Sequence, residues 1–266
     1  MDIQPLKHSD INLIPDLLPS GWEGSITTIE FYTNANFCFP IKVTIDKRIV
    51  GIGAVIIHKD IAWLAHIIVH PDNRNQGVGK VITQSLIDIA ISKCCDTIYL
   101  LATELGERVY KKLGFETETK YLFFKGEKTI QALINSENIV AFNSLFKKQI
   151  SNLDYQVSGE NRIFQLEQHL SESFIYLQNN NVKGFYLPTL GDGLIIAITH
   201  SAGQELMQLR LATKDFAAFP IDNISATKLI LQNNFKELRT EKRMRLGKKR
   251  NWQPTNIYNR IGGNLG

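Results

Sequence analysis

The sequence predicts an α/β (α+β) protein in which helices flank a mixed sheet. In the first half, apolar runs typical of strands alternate with stretches whose apolar residues recur at helical spacing. The second half shows a similar succession of elements, so more of the same fold class is expected there. A length of 266 residues agrees with one large or two medium domains.

Three strands and a helix open the pattern. Residues 39–45 and 48–57 are predicted strands joined by a turn at 46–47, and residues 61–69 form a third strand beside them. Residues 79–94 carry apolar side chains every three or four positions, which predicts an amphipathic helix.

The remaining elements follow from the same periodicities. The first half continues with a strand at 97–101, a helix at 104–113 that Gly114 ends, and a strand at 119–125. In the second half, we expect helices near 162–170, 202–212 and 224–233, and strands at 174–177, 182–186, 194–198, 215–218 and 236–246. A faint repeat aligns residues 110–115 with 230–235, where Gly114 and Asn234 each precede a Phe.

The composition limits the cellular location and the kinds of site that we expect. The longest apolar stretches are too short or too polar to span a bilayer, and the first residues lack the features of a signal peptide. The three cysteines, Cys38, Cys94 and Cys95, predict neither a disulfide framework nor a zinc site. We therefore expect a cytoplasmic protein without a metal or a membrane partner.

The net charge of +4 is unevenly placed, because residues 236–250 hold eight basic and two acidic side chains. Charged and apolar residues alternate there, which favours a strand with one solvated face over a nucleic-acid site.

A strand-to-helix junction at residues 66–82 holds the strongest candidate site. Its glycine loop, residues 70–79, follows a strand and leads into a helix N-terminus, where free backbone N–H groups and the helix dipole favour an anion. Gly77 and Gly79 permit close approach of a phosphate, and Arg74 and Lys80 add positive charge.

Two nucleotide motifs fail at this loop. A P-loop needs a glycine where Arg74 stands and a Ser or Thr where Val81 stands, and the dinucleotide fingerprint needs a glycine where Ile82 stands.

The run Arg74-Asn75-Gln76-Gly77-Val78-Gly79 fits Arg/Gln-x-x-Gly-x-Gly/Ala, and Val69-His70-Pro71-Asp72 precedes it. This stretch strongly resembles motif A of the GNAT superfamily of N-acetyltransferases. The resemblance implies a mostly antiparallel GNAT sheet and a loop that wraps the pyrophosphate of acetyl-coenzyme A, while the backbone of residues 67–70 pairs with the pantetheine arm. The implied cofactor contacts are Ile68, Val69, Arg74, Asn75, Gln76, Gly77, Val78, Gly79, Lys80 and Thr103.

Residues 103–115 resemble motif B of the same family, which ends in Tyr-x-Lys-Leu-Gly-Phe. The resemblance implies that Tyr110 donates a proton to the leaving coenzyme A thiolate, and that Thr103 bonds to the cofactor arm. A phenol with a pKa near ~10 is protonated at neutral pH and suits this task.

The reaction implied is direct attack of a primary amine on the thioester, with the oxyanion held by backbone amides near Val69. The amine must first lose a proton, and the candidate bases are His66, His70 and Glu104. His66 is placed on the strand where a base could face the amine, and strand alternation puts His66, Ile68 and His70 on one face. Trp22, Tyr32 and Tyr121 are candidates for the acceptor pocket.

The whole chain resembles bacterial proteins with a GNAT domain followed by a second GNAT-like domain. We therefore expect a catalytic GNAT domain at 1–127 and a degenerate GNAT-like domain at 128–266. The second half lacks the loop motif, and Ile230 stands where Tyr110 does, so one coenzyme A per chain is expected. Arg162 matches a basic position of that family, although Ser158 and Asn161 depart from its usual pattern.

Three functions compete. The first is an N-acetyltransferase acting on a small-molecule amine or on a protein amino group. The second is a non-catalytic coenzyme A-binding sensor or regulatory protein, and the third is a nucleic-acid binder using residues 236–250. The sequence leaves the acceptor unnamed and leaves a homodimer open.

Overall fold

The computed structural model describes residues 1–22, 24–127 and 136–265, and the chain forms two compact units. The first unit comprises Met1–Thr117, Met244–Lys249 and Gly263–Leu265. The second unit comprises the described residues within Glu118–Arg243 and Arg250–Gly262.

The first unit is a mixed, mostly antiparallel sheet with helices, as predicted. Its strands run in the order β1-β2-β3-β4-β5, in which only the pair β4–β5 is parallel. The elements are β1 (Asp2–Pro5), α1 (Ser25–Asn34), β2 (Cys38–Ile45), β3 (Arg48–His58), β4 (Ile61–Val69), α2 (Val78–Ser92), β5 (Thr97–Ala102) and α3 (Glu104–Lys112). The predicted strands and helices are confirmed, whereas β1 and α1 were not predicted from the pattern.

Two glycines bring α2 close to the sheet. A Cβ at Gly51 or Gly53 of β3 would lie 2.7 Å from atoms of Ile82 in α2. Because any larger side chain would push the helix away, these glycines set the distance between β3 and α2. The core below α2 also holds Tyr110, and a separate apolar cluster joins Ile68 to Ile29 of α1.

The second unit has β6 paired antiparallel with β11 and a separate sheet in the order β13-β10-β9-β8-β7. Its elements include most of β6 and β12, whose residues 116–117 and 244–247 belong to the first unit. They are β6 (Glu116–Lys125), β7 (Ile139–Ala141), α4 (Lys147–Ser158), α5 (Ile163–Leu166), β8 (Phe174–Gln178), β9 (Asn181–Leu187), β10 (Leu194–Ala197), α6 (His200–Leu211), β11 (Phe216–Pro220), α7 (Ile224–Gln232), β12 (Lys236–Gly247) and β13 (Ile257–Asn259). The elements β7, α4 and β13 were not predicted.

The units differ from the predicted segments 1–127 and 128–266 because the first unit takes two pieces from the end of the chain. In one piece, Met244 joins the core below α2, and the N–H of Lys248 donates to the carbonyl of Asp96. The predicted boundary lies at the edge of residues 128–135, which are outside the described range, and the assignment of two GNAT-type domains stays a prediction.

Element order repeats between the two halves. The succession strand, strand, strand, helix, strand, helix, strand describes β2 to β6 with α2 and α3, and it also describes β8 to β12 with α6 and α7. The ends of α3 and α7 match in detail. Gly114 and Asn234 have φ of +91° and +61°, and the N–H of the following Phe donates to the carbonyl of Tyr110 and of Ile230, respectively. The faint sequence repeat therefore corresponds to the same helix ending.

The basic stretch forms β12, as its alternation predicts. Arg239 pairs with Glu241 and Arg243 pairs with Glu118, each at 3.1 Å, and Arg245 reaches Glu116 at 2.7 Å. Carboxylates therefore compensate much of its positive charge. Among the described residues, no helix combines the length and apolar character needed to cross a bilayer.

Candidate active site

The strands β4 and β5 separate beyond a short stretch of pairing. Their parallel register joins Ile61 to Thr97 and ends at Trp63 and Tyr99, although β4 continues to Val69 and β5 to Ala102. Strand edges that do not pair with each other present N–H and C=O groups to an extended ligand. The gap therefore suits an amide-containing chain lying along the end of β4.

A bulge in β4 shapes this edge. The register with β3 shifts so that His66 and Ile67 lie opposite Gly53, and His66 adopts a left-handed φ of +47°. Such a conformation is uncommon for a residue with a Cβ, and bulges often redirect side chains beside active sites. The side chain of Ile67 faces the α2 side near Gly53, whereas His66 contacts Tyr32 of α1. His66 and Ile68 thus share the α1 side of the sheet, as predicted for these two residues, whereas His70 lies beyond the end of β4.

His66 lies in a small aromatic and polar group. The Tyr32 hydroxyl lies 3.1 Å from Nδ1 of His66. Trp22 packs edge-on against the same ring, with 6.1 Å between the ring centroids. Asn264, from the end of the chain, donates through Nδ2 to the Tyr32 hydroxyl at 2.8 Å. Burial lowers the pKa of His66 to about 4 and raises the pKa of Tyr32 above its usual value. Both side chains are therefore neutral at physiological pH.

The glycine loop is tied to itself before it enters α2. Arg74 Nε donates to the carbonyl of Val69 at 3.3 Å, and Gln76 Nε2 donates to the carbonyl of Asp72 at 2.8 Å. Asn75 and Gly77 have φ of +60° and +85°. Hydrogen bonds within the loop therefore help to hold its conformation.

The start of α2 has the features of an anion site. Gly77 caps the helix, and the N–H groups of the first helical residues have no partner within the helix itself. No described atom lies within 4 Å of a Cβ built on Gly77, so the loop is open at this point. Arg74 and Lys80 are exposed, whereas the Val78 side chain is buried in the core. Val78 can therefore contact a ligand only through its backbone.

The structure gives His70 a place in the loop. Its ring is buried, with Nε2 3.0 Å from a guanidinium nitrogen of Arg48 and Nδ1 3.3 Å from the amide of Asp72. Both ring nitrogens therefore have partners at the turn, which favours a structural role over that of a base. Glu104 is exposed at the start of α3.

Tyr110 is held inside the first unit. Its side chain is 8% exposed and packs on Phe115, with 6.0 Å between the ring centroids. Burial raises the pKa of Tyr110 to about 12. The Thr103 hydroxyl caps α3 by accepting from the Gly106 N–H at 3.4 Å. This bond leaves the Thr103 O–H proton available to donate to a ligand.

Gly106 provides a test of how Tyr110 is positioned. A Cβ at Gly106 would lie 2.7 Å from Cε2 and 3.1 Å from the hydroxyl of Tyr110. We expect Gly106→Ala to displace the phenol and lower kcat by ~10-fold or more, because small misplacements of a reacting group are costly. Steady-state kinetics at saturating acetyl-coenzyme A would measure this.

Alanine favours a helix over glycine by ~1 kcal/mol, so thermal melting of Gly106→Ala should show no large loss of stability. Gly203→Ala is unsuitable as a control, because Tyr258 lies 2.0 Å from its Cβ position. Ser151→Ala, in α4, is a control helix substitution in the second unit. Unchanged kcat in Gly106→Ala would contradict the placement of Tyr110.

The other predicted residues fall into two groups. Trp22 and Tyr32 surround His66, as described above, whereas Tyr121 is fully buried in the second unit. Arg162 is also buried there and pairs with Asp154 at 3.0 Å, which indicates a structural role.

Sequence patterns missed Asn264 and the bulge at His66, because neither has a local signature. Within the described ranges, no group of His, Cys, Asp and Glu is arranged to bind a metal ion.

A mixed sheet that separates between its parallel strands, with a glycine loop leading into a helix at the end of the longer strand, defines the GNAT class of acetyltransferase fold. The family model described as "Acetyltransferase (GNAT) domain" matches residues 39–117, which include the glycine loop and Tyr110. Residues 39–117 therefore match a GNAT domain.

Solved structures share the fold over most of the chain. A presumed acetyltransferase from Pyrococcus horikoshii is 22% identical, with a TM-score of 0.84 over 100% of this chain and 95% of that one. A GCN5-related N-acetyltransferase from Sphaerobacter thermophilus is 12% identical, with a TM-score of 0.65 over 96% and 98%. A tandem GNAT protein from the clavulanic acid biosynthesis pathway is 11% identical, with a TM-score of 0.64 over 92% and 98%. A comparison with curated proteins gives no significant match.

Proposed function

We propose that this protein is an acetyl-coenzyme A-dependent N-acetyltransferase that transfers an acetyl group to a primary amine by direct attack. The observation that carries the proposal is that one unit holds the gap between β4 and β5, the glycine loop and the buried Tyr110. The GNAT domain match supports acyl transfer from acetyl-coenzyme A in general.

The glycine loop would hold the pyrophosphate. Backbone N–H groups at Gly77, Val78, Gly79 and Lys80 lie at the positive end of the α2 dipole, and Arg74 adds a cation. We propose that Asn75 and Gln76 of the loop also contact the cofactor. At the gap, the backbone of Ile68 and Val69 would pair with the pantetheine arm, and Thr103 would donate to it. No metal is needed for this chemistry.

Tyr110 would act as the general acid. When the amine attacks the carbonyl, the C–S bond breaks and the sulfur leaves with its electron pair. The sulfur leaves more readily when it is protonated as the C–S bond breaks, because the leaving group is then a thiol and not a thiolate. Since burial raises the Tyr110 pKa to about 12, the phenol would carry its proton at physiological pH.

The second unit would not bind a second cofactor. In the first unit, residues 70–77 connect β4 to α2, whereas only Ile198 and Thr199 connect β10 to α6 at the matching place in the element order. This connection leaves no space for a loop around a pyrophosphate, and Ile230 replaces the proton donor. We therefore propose that the second unit is a degenerate GNAT-like copy.

Titration calorimetry with acetyl-coenzyme A tests the donor site. We expect one site per chain, and we expect Arg74→Ala to raise the Kd by ~10-fold, which corresponds to ~1.4 kcal/mol of lost phosphate interaction. Arg239→Ala in the second unit is the matched control, since Arg239 is exposed there. Two equivalent sites per chain, or no binding at all, would overturn the proposal.

A panel of primary amines, assayed by thiol release, separates catalysis from sensing. Turnover supports the transferase, whereas tight binding without thiol release from any amine would favour a coenzyme A-binding sensor. We propose a small-molecule amine or a protein amino group as the acceptor, with a cytoplasmic site of action that the free cysteines support. The ion pairs along β12 support a protein without a nucleic-acid partner.

A further inference from the structure

Three side chains from distant parts of the sequence form a hydrogen-bonded chain in the first unit. Tyr32 lies on α1, His66 lies at the bulge of β4, and Asn264 lies in the segment Gly263–Leu265. Asn264 Nδ2 is 2.8 Å from the Tyr32 hydroxyl, which is 3.1 Å from His66 Nδ1. Tyr32 is 2% exposed, so water has little access to its hydroxyl.

The direction of these hydrogen bonds follows from the donors present. The Asn264 amide nitrogen can only donate, so the Tyr32 oxygen accepts this bond. The Tyr32 O–H proton then needs an acceptor, since leaving a buried hydroxyl unsatisfied costs ~1–3 kcal/mol. Among the described residues, Nδ1 of His66 lies within hydrogen-bond distance of this hydroxyl and can accept. A neutral imidazole that accepts at Nδ1 carries its proton on Nε2.

We propose that His66 serves as a neutral hydrogen-bond donor through Nε2–H, and that Tyr32 and Asn264 are positioning residues that hold this tautomer. The low pKa that burial gives His66 agrees with a neutral ring. A ring in this state cannot directly take the proton of the ammonium substrate, because its lone pair is already engaged at Nδ1.

The consequence for the acceptor rests on the proposed function. Nδ1 and Nε2 lie on opposite edges of an imidazole ring, so Nε2 points away from the Tyr32 hydroxyl. His66 itself belongs to the part of β4 beyond its pairing with β5, where the extended arm of the donor is proposed to lie. An N–H donor at this place recognises an oxygen atom. We therefore expect an acceptor that carries a carbonyl, carboxylate or hydroxyl oxygen near its amine, and we expect another group, directly or through water, to take the amine proton.

The hydrogen bonds could also run in the opposite direction. If the Asn264 amide were turned over, its oxygen would accept from Tyr32, the Tyr32 oxygen would accept from His66 Nδ1–H, and Nε2 would be a free base. The tautomer of His66 therefore distinguishes the two roles.

Nitrogen-15 NMR of the labelled imidazoles in the full chain measures this tautomer, and the signal that disappears in His66→Gln assigns it. We expect Nε2–H in the wild type. In Asn264→Asp the carboxylate can only accept, so it should take the Tyr32 proton and switch His66 to Nδ1–H. Asn251→Asp, at an exposed asparagine of the second unit, should leave Nε2–H unchanged.

Tyr32→Phe is a second variant, which removes the hydroxyl and should leave a mixture of tautomers. Nδ1–H in the wild type, or an unchanged tautomer in both Asn264→Asp and Tyr32→Phe, would overturn the proposal. The spectra need neither acetyl-coenzyme A nor an amine. A failure here is therefore distinct from a failure of the proposed transferase activity, which calorimetry and thiol release test.

Discussion

Replacing Tyr110 with phenylalanine is expected to lower kcat by roughly 10²–10⁴-fold, the usual contribution of a general acid. The ring and its packing on Phe115 are retained, so only the proton donor is lost. The Kd for acetyl-coenzyme A should stay close to that of the wild type. Thiol release at saturating acetyl-coenzyme A, with an amine that the panel identifies, measures the effect.

The pH dependence of the wild type provides a second measurement of Tyr110. Burial disfavours the charged phenolate and raises the pKa to about 12, so the acid form persists as pH rises through the alkaline range. We therefore expect a fall in kcat at mildly alkaline pH, if one is measured, to come from another group.

Tyr155→Phe is the matched control for Tyr110→Phe, because Tyr155 is 61% exposed on α4 in the second unit. Its kcat should equal that of the wild type. Unchanged turnover in Tyr110→Phe would show that Tyr110 is not the general acid. The thiolate would then leave without a proton or take one from water.

Replacing Gly77 with alanine should weaken acetyl-coenzyme A binding by about tenfold or more. A residue with a Cβ pays ~1–2 kcal/mol in the left-handed region that Gly77 occupies at φ +85°. The loop can avoid this cost only by turning the N–H groups at the start of α2 away from the phosphate position. Each ~1.4 kcal/mol of lost interaction is a factor of ten in Kd.

Gly21 offers a closely matched control for Gly77. It has the same φ of +85°, and no described atom lies within 4 Å of its Cβ position either. Gly21→Ala and Gly77→Ala should therefore lose similar stability in thermal or urea unfolding. Only Gly77→Ala should lose affinity in calorimetry, and equal affinities in the two variants would contradict the placement of the pyrophosphate at the glycine loop.

Local patterns predicted the elements around the site well. The strand at residues 61–69 has the observed bounds of β4, and the helix predicted at 79–94 appears as α2 over Val78–Ser92. The first is a nearly unbroken apolar run, and the second has a clear helical periodicity with glycines at its start. By contrast, α1 has a weak apolar pattern, and α4 lies where the sequence is polar, so the pattern alone did not indicate them.

The roles of single residues divide in the same way. Gly114 and Asn234 were expected at special backbone positions because of their residue types, and both have positive φ. Gly77 was expected to permit close approach of a phosphate, and it also has a positive φ. The left-handed φ of His66 had no such sign in the sequence, since it accompanies the shift in register between β3 and β4. The assignments of Tyr110 and His66 as catalytic residues stay predictions.

The sequence by itself determined the fold class, the glycine loop and the helix that carries Tyr110, because short-range spacing and residue type encode each of them. Only the tertiary structure decided that Asn264 meets Tyr32 and His66, and that the last residues of β12 complete the core of the first unit. These contacts join residues far apart in the chain, and their geometry depends on how the sheet registers and bulges. No local pattern of residues carries that information.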